Sequence, residues 1–147
     1  MTKIRVTKEF RFEMAHALED YNGKCKHVHG HSYILYVTVL GEPNSNTKDS
    51  TYGMVIDFGE LKQIVSKHII DKFDHALVLR KDAKLADALQ KQYGNIMLTH
   101  YQPTCENMVI AFADTLKEYL PSHVRLYSLR LHETATSYAE WFANDNN

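Results

Sequence analysis

The chain has only two cysteines, three prolines and six glycines in 147 residues. Two thiols do not make the disulfide framework of a small secreted domain, which shows more cysteines, evenly counted, in a shorter chain. Cys25 and Cys105 therefore read as free thiols in a reducing compartment. No run of Lys or Arg forms a stripe, and the formal net charge is -1. Nucleic acid binding leaves a concentrated positive footprint, so the charge argues against a nucleic acid partner. No stretch approaches the ~20 apolar residues of a membrane helix. Met1 to Arg5 carries no apolar signal core, and the expectation is a cytoplasmic protein without a membrane partner. What the chain does have is an ordinary globular balance, 44% hydrophobic and 24% charged residues. That suits one domain over residues 1–147 with a real core. Only Asn144 to Asn147 read as a disordered tail.

Ile4 to His16 alternate. Ile4, Val6, Phe10, Phe12, Met14 and His16 share one parity, broken only by Lys8, which predicts a half-buried strand. A second strand runs from about His29 to Leu40. Tyr33, Leu35, Val37 and Val39 share parity with His29 and His31, while Ile34, Tyr36 and Leu40 give the other face apolar character too. Gly41 to Ser50 is a polar connection, and Tyr52 to Ile56 reads as a short strand. Asp57 is placed to cap a helix, with Glu60 as reciprocal partner. Phe58, Leu61, Ile64, Val65 and Ile69 follow at helical spacing to about Phe73. A short helix is expected around Lys84 to Lys91, then a loop through Gly94 and Asn95. A longer helix opens at Thr104 and ends at Pro121, burying Met108, Val109, Phe112, Leu116 and Tyr119 or Leu120. Val124 to Glu133 and Tyr138 to Phe142 read as a closing hairpin. Strands at both ends with helices between them predict an α+β fold with an antiparallel sheet.

The segment Cys25-Lys26-His27-Val28-His29-Gly30-His31 carries the strongest chemical signal. Histidines two apart on a strand face the same way, and Gly30 permits close approach. His16 adds a third imidazole from the apolar face of a neighbouring strand. Three imidazoles with one open position is the ligand set of a catalytic zinc site. Two arrangements of Cys25 fit this pattern. In one the strand starts at Cys25 and the thiol is a fourth ligand, closing a structural site. In the other Asn22-Gly23-Lys24 turns, and Cys25 stands on a loop beside the metal, where Lys24, Lys26 and the ion favour its thiolate. Asp74-His75 is an acid–imidazole pair or simply a charge pair at a helix end. Glu133 completes an apolar row of Tyr127, Leu129 and Leu131, so it should be buried and seek donors such as the edge of a guanidine-like heterocycle. Glu106 lies in the first turn of its helix, where negative charge also suits the dipole.

In order, these pieces resemble the 6-pyruvoyl/6-carboxy-tetrahydropterin synthase family. They are Phe12-Glu13-Met14-Ala15-His16, Cys25 with His29-Gly30-His31-Ser32-Tyr33, Gly53-Met54-Val55-Ile56-Asp57-Phe58, Phe73-Asp74-His75, Pro103-Thr104-Cys105-Glu106-Asn107 and Leu131-His132-Glu133-Thr134. The resemblance implies a tunnelling fold: a four-stranded antiparallel sheet with two main helices on one face. It also implies closure into an oligomeric β-barrel, a homohexamer of two stacked trimers with sites at subunit interfaces. It implies Zn2+ on His16, His29 and His31, Cys25 as the proton-moving thiol, and Asp74, His75 and Glu133 as a charge relay. Glu133 would also anchor the pterin, helped by Thr104 and Glu106. The four-residue step from Cys25 to His29 resembles the carboxy-forming branch. That branch takes 7,8-dihydroneopterin triphosphate to 6-carboxy-5,6,7,8-tetrahydropterin, acetaldehyde and triphosphate in queuosine synthesis.

The chain departs from the family pattern in three places. Ala76 to Arg80 follows His75 where the family often has Leu-Asn. Cys105 stands where Ser or Ala is more usual, and Lys81 to Gln102 is longer than in compact members. The rival readings are a pyruvoyl-forming synthase and a non-catalytic module with a closed Cys/His zinc site.

Overall fold

Alternation makes β1 (Ile4–His16) and β2 (His29–Gly41) a matched antiparallel pair, in register from Ile4 against Gly41 to His16 against His29. The computed structural model describes residues 1–147. β5 (Val124–Thr134) pairs antiparallel with β2, and β6 (Ser137–Phe142) with β5. These four strands are the expected antiparallel set.

Two further short strands extend the sheet beyond that expectation. β3 (Ala76–Arg80) runs parallel to the end of β1, pairing Met14 with Ala76 and His16 with Val78. β4 (Ile96–Thr99) runs parallel to β3, so the sheet has six strands in the order β4-β3-β1-β2-β5-β6. Ala76-Leu77-Val78-Leu79 shows no alternation because a parallel strand covered on both faces is a continuous apolar run. Tyr52 to Ile56 is not a strand. The chain turns there instead, with Gly53 at φ +83 and Asp49 accepting from the Thr51 backbone N–H at 2.8 Å.

The first helix is α1 (Phe58–Val65), continued by a π-helical turn (Ser66–Ile70) and α2 (Asp71–Phe73). Asp57 caps it through the Gly59 N–H at 2.6 Å, and Glu60 makes no return bond. Leu61, Val65 and Ile69 are fully buried, but Phe58 is 51% exposed, since it occupies the first turn outside the buried stripe. The short helix is α3 (Ala86–Gln92), and α4 spans Cys105–Tyr119. α4 buries Met108, Val109, Phe112 and Leu116. Leu120 packs beside them, whereas Tyr119 lies outside and stacks on His68. The final residues are not featureless: Ala143–Asp145 is a 3-10 turn, and Asn146 Nδ2 donates to the Phe142 carbonyl at 2.8 Å.

α1 and α4 share one core with the Phe12, Met14, Tyr33, Leu35, Leu129 and Leu131 face of the sheet. A bulge in β5 interrupts the expected row. The register shifts between Thr38 and Val39, so Leu126 and Leu129 are buried while Tyr127 leans outward under the Arg5 guanidinium, 3.9 Å from its ring centre. A bulge moves every residue beyond it to the opposite face. The other face of the sheet is polar and laced by exposed contacts such as Tyr36 to Glu9 and Arg130 to Glu140. α1 and α4 therefore cover the same face of the four antiparallel strands. The histidines stand at the covered face, at the end where β1 stops and β2 starts.

Candidate metal centre and pocket

The register of β1 and β2 sets His16 opposite His29, with His31 two residues on along the same face. The ligand atoms of His16, His29 and His31 all lie within 4.8 Å of one another. The supporting contacts fix their tautomers. His16 Nδ1 donates to the Pro103 carbonyl at 2.7 Å, and His29 Nδ1 donates to the His27 carbonyl at 2.7 Å. A carbonyl only accepts, so each neutral ring keeps its proton on Nδ1 and turns an Nε2 lone pair inward. Those two Nε2 atoms are 3.0 Å apart. Two acceptors at that distance repel unless a cation or a proton lies between them.

His31 Nε2 points to the same place and has no hydrogen-bond partner, although it is buried. Glu133 Oε1 lies 3.7 Å from it, beyond hydrogen-bond reach. A buried imidazole nitrogen left unpaired is costly, and backbone carbonyls behind ligating rings are the usual outer shell of a metal site. The donor set therefore fits a divalent cation that prefers imidazole.

Burial holds His16 below the ordinary imidazole value, opposed by the Pro103 carbonyl and the Glu133 charge. Burial does the same to His31, again opposed by Glu133. Both rings therefore bind protons less readily folded than unfolded. Stability is then highest above the unfolded value of about 6.5 and falls as pH drops below it, because the unfolded chain takes up protons first. Metal-free protein is expected to lose stability in urea titrations as pH falls from 7 toward 5. His16→Gln should flatten that slope, and an unchanged slope would mean other groups set it.

The second orphan is the hydroxyl of Tyr33, on the same face beyond His31. The ring is 1% exposed, stacked on Phe12 at 5.0 Å and edge-on to His31 at 5.6 Å. Burial pushes its phenol strongly upward, so it stays protonated. Removing an unpaired buried hydroxyl removes a penalty of about 1–3 kcal/mol. Tyr33→Phe is thus expected to raise the melting temperature of the metal-free protein by a few degrees. A lower melting temperature would show that the hydroxyl is satisfied in solution.

Cys25 lies outside the histidine strand. It sits in a 3-10 turn, Lys24–Lys26, whose end the chain leaves before β2 begins at His29. This is the loop arrangement; His27 is exposed and contributes its carbonyl to His29 rather than its ring to the cluster. Cys25 lines a cavity of about 160 Å3 together with His16, Leu18, Thr104, Cys105, Glu106, Glu133, Ser137 and Tyr138. Five of the predicted site residues, His16, Cys25, Thr104, Glu106 and Glu133, thus meet in one small pocket. Thr104 caps α4 by accepting from the Asn107 N–H at 3.2 Å. Glu133 reaches the pocket from β5 and is only partly buried. Cys105 is buried and donates to the Leu131 carbonyl at 3.2 Å, and burial pushes its thiol up to about 12. It is a packing residue at the pocket wall.

Asp74 and His75 are elsewhere. The His75 side chain is 79% exposed and lines a second cavity of about 330 Å3 with Glu13, Ala15, Gly30 and Ser32, which Met14 and His31 also border. Met14 pairs with Ala76, so His75 stands beside Glu13, whose side chain alternates with those of the metal face. The pair itself is well formed. Asp74 Oδ1 lies 3.0 Å from His75 Nδ1 and accepts from the Glu13 N–H at 2.9 Å. The Glu13 N–H, with His75 adding to it, holds the Asp74 carboxyl below its ordinary range. His75 is held at φ +63, a left-handed conformation rare outside glycine. Its carbonyl accepts from Asn95 Nδ2 at 2.6 Å. Sequence reading missed Leu18, Ser137 and Tyr138 as pocket residues. Ser137 and Tyr138 follow the Glu133 strand directly through the hairpin, and that adjacency was the available signal.

A three-histidine cluster able to hold a metal ion, beside a thiol and a carboxylate at the end of an α+β sheet, is the arrangement of a candidate metal-dependent enzyme site. The chain belongs to the 6-pyruvoyl tetrahydropterin synthase family, whose model matches residues 5–144. It is 36% identical over 143 residues to the 6-carboxy-5,6,7,8-tetrahydropterin synthase of Haemophilus influenzae, covering 94% of this chain and 98% of that one. It is 31% identical to the protein of the same name from Rickettsia typhi, covering 93% and 99%. Among solved structures, an uncharacterised protein from Wolinella succinogenes superposes with a TM-score of 0.80 at 20% identity, covering 97% and 99%. The 6-pyruvoyl tetrahydropterin synthase of Caenorhabditis elegans superposes with a TM-score of 0.70 at 27% identity, covering 97% of both chains. The fold is thus the tunnelling fold of these synthases.

Proposed function

We propose that this protein is a zinc-dependent carbon–carbon lyase. It converts 7,8-dihydroneopterin triphosphate, with uptake of water, to 6-carboxy-5,6,7,8-tetrahydropterin, acetaldehyde and triphosphate, and so serves queuosine synthesis in the cytoplasm. The observation that carries the reading is the pocket in which His16, Cys25, Thr104, Glu106 and Glu133 meet. The names of the curated relatives support the carboxy-forming branch.

His16, His29 and His31 would hold the zinc ion. Bound there, zinc supplies Lewis-acid polarisation of oxygens on the substrate side chain. Glu133 accepts hydrogen bonds from the amino-pyrimidine edge of the pterin, a charge-assisted pairing that fixes the ring. Thr104 and Glu106 line the same recess. Cys25, between Lys24 and Lys26, moves protons between the side chain and ring carbon C6. Asp74 orients His75, which serves the hydroxyl that becomes a carbonyl.

Within one chain, His75 lines a different cavity from Cys25 and Glu133. The reading therefore places the relay at a subunit boundary, where the pair of one copy completes the pocket of another in a homohexamer. The test is to identify the pterin formed from 7,8-dihydroneopterin triphosphate by mass. The carboxylated product supports the proposal, whereas a pyruvoyl product moves the protein to the sister activity that the family's name describes.

A further inference from the structure

Between His16 and His29 the chain leaves the sheet, and this excursion carries Cys25. Its ends are fixed by β1 and β2, but the thiol stands on a turn whose side chain makes no hydrogen bond. The loop is closed on itself by the Leu18 N–H donating to the Cys25 carbonyl at 2.9 Å. What ties this closed unit to the body of the protein is the next residue, Glu19. The Glu19 N–H donates to Gln102 Oε1 at 3.2 Å, and Gln102 Nε2 donates to the Glu19 carbonyl at 2.8 Å. A carboxamide is suited to this because it presents a donor and an acceptor side by side. The remaining contacts to the rim are longer and exposed, Lys84 N–H to Glu19 Oε1 and Arg80 to Asp20, both at 3.4 Å.

Gln102 is itself held. Its carbonyl accepts from the Thr104 N–H at 2.8 Å and from Asn107 Nδ2 at 3.0 Å. The next residue, Pro103, accepts from His16 Nδ1, and Thr104 caps α4 and lines the pocket. One tripeptide therefore grips the metal histidine, the pocket wall and, through the Gln102 side chain, the thiol loop.

We propose that Gln102 is a positioning residue: its side-chain amide sets where the Cys25 thiol stands relative to His16 and Glu133. The proposal rests on the reading of Cys25 as the proton-moving group, and the test separates the two. Gln102→Leu keeps much of the volume and removes both bonds to Glu19. Gln102→Glu keeps the acceptor for the Glu19 N–H and loses the donor. Each is compared with the wild-type chain for zinc content, melting temperature, the rate at which iodoacetamide alkylates Cys25 and the kcat/KM split.

With zinc content unchanged, Gln102→Leu is expected to alkylate at Cys25 about tenfold faster, since local opening governs access to a tethered thiol. Its kcat should fall about 100-fold with KM nearly constant, the cost of misplacing a reacting group by about 1 Å. Gln102→Glu should fall between Leu and wild type in both. Alkylation of Cys25 at the wild-type rate in Gln102→Leu would overturn the positioning role, as would losses that simply track zinc content or melting temperature. The alkylation arm needs no substrate, so it decides the role of Gln102 even if the wild-type chain does not act on the pterin. Faster alkylation with unchanged kcat would instead sink the role given to Cys25.

Discussion

Cys25→Ala is expected to fold, to bind zinc as the wild type does and to lose about 10²–10⁴ in kcat, the usual share of a positioned proton-transfer group. Folding should survive because the loop is held by the backbone of Cys25, whose carbonyl receives the Leu18 N–H, and not by its side chain. Zinc should survive because the three imidazoles form the cluster without the thiol. The loss should appear in kcat and kcat/KM alike, since a proton carrier acts in the transition state rather than in ground-state binding. Three readings on one variant check this: circular dichroism, metal content and steady-state turnover. Lost zinc together with lost stability would return the protein to the closed structural site, where metal binding is folding energy.

The second large effect concerns the metal. His31→Ala removes one of the three imidazoles of the cluster, the one whose buried Nε2 has no partner in the chain. Its zinc affinity should fall by more than the about 10–100-fold that loss of a supporting contact costs. The wild-type chain at 1,000 times the dissociation constant gains about 4 kcal/mol from a ligand that binds only the folded state. At about 2–4 °C per kcal/mol for a chain near this size, that is a rise of about 8–16 °C in melting temperature. Calorimetric scans with and without zinc should show the shift in the wild type and little of it in His31→Ala. An equal shift in both would place the metal elsewhere.

The candidate site was legible because its histidines lie on two alternating strands. Parity alone put His16, His29 and His31 on one face, and the β1–β2 register brings them together. The hairpin and α4 were legible for the same reason, clean periodicity. The misses have physical causes. β3 carries no alternation because it is covered on both faces, and four-residue β4 is too short to show a period. The bulge at Tyr127 moved one predicted core residue outward, a local irregularity that leaves no mark in composition. Asp74-His75 reads as a pair in the sequence, yet its separation from the Cys25 pocket depends on the left-handed turn at His75 and on a parallel pairing that sequence spacing does not reveal. The role of Gln102 was equally hidden, since it rests on side-chain bonds to a residue far away in the chain.

In the proposed function, a zinc ion on these three histidines serves a carbon–carbon cleavage of a pterin substrate. The most direct measurement is acetaldehyde release from 7,8-dihydroneopterin triphosphate as zinc is added stepwise to metal-free protein. Acetaldehyde should appear together with triphosphate and 6-carboxy-5,6,7,8-tetrahydropterin, rise with zinc and level off at one ion per chain. Zinc bound at one per chain with no acetaldehyde formed, or acetaldehyde formed at a rate indifferent to zinc, would contradict this function.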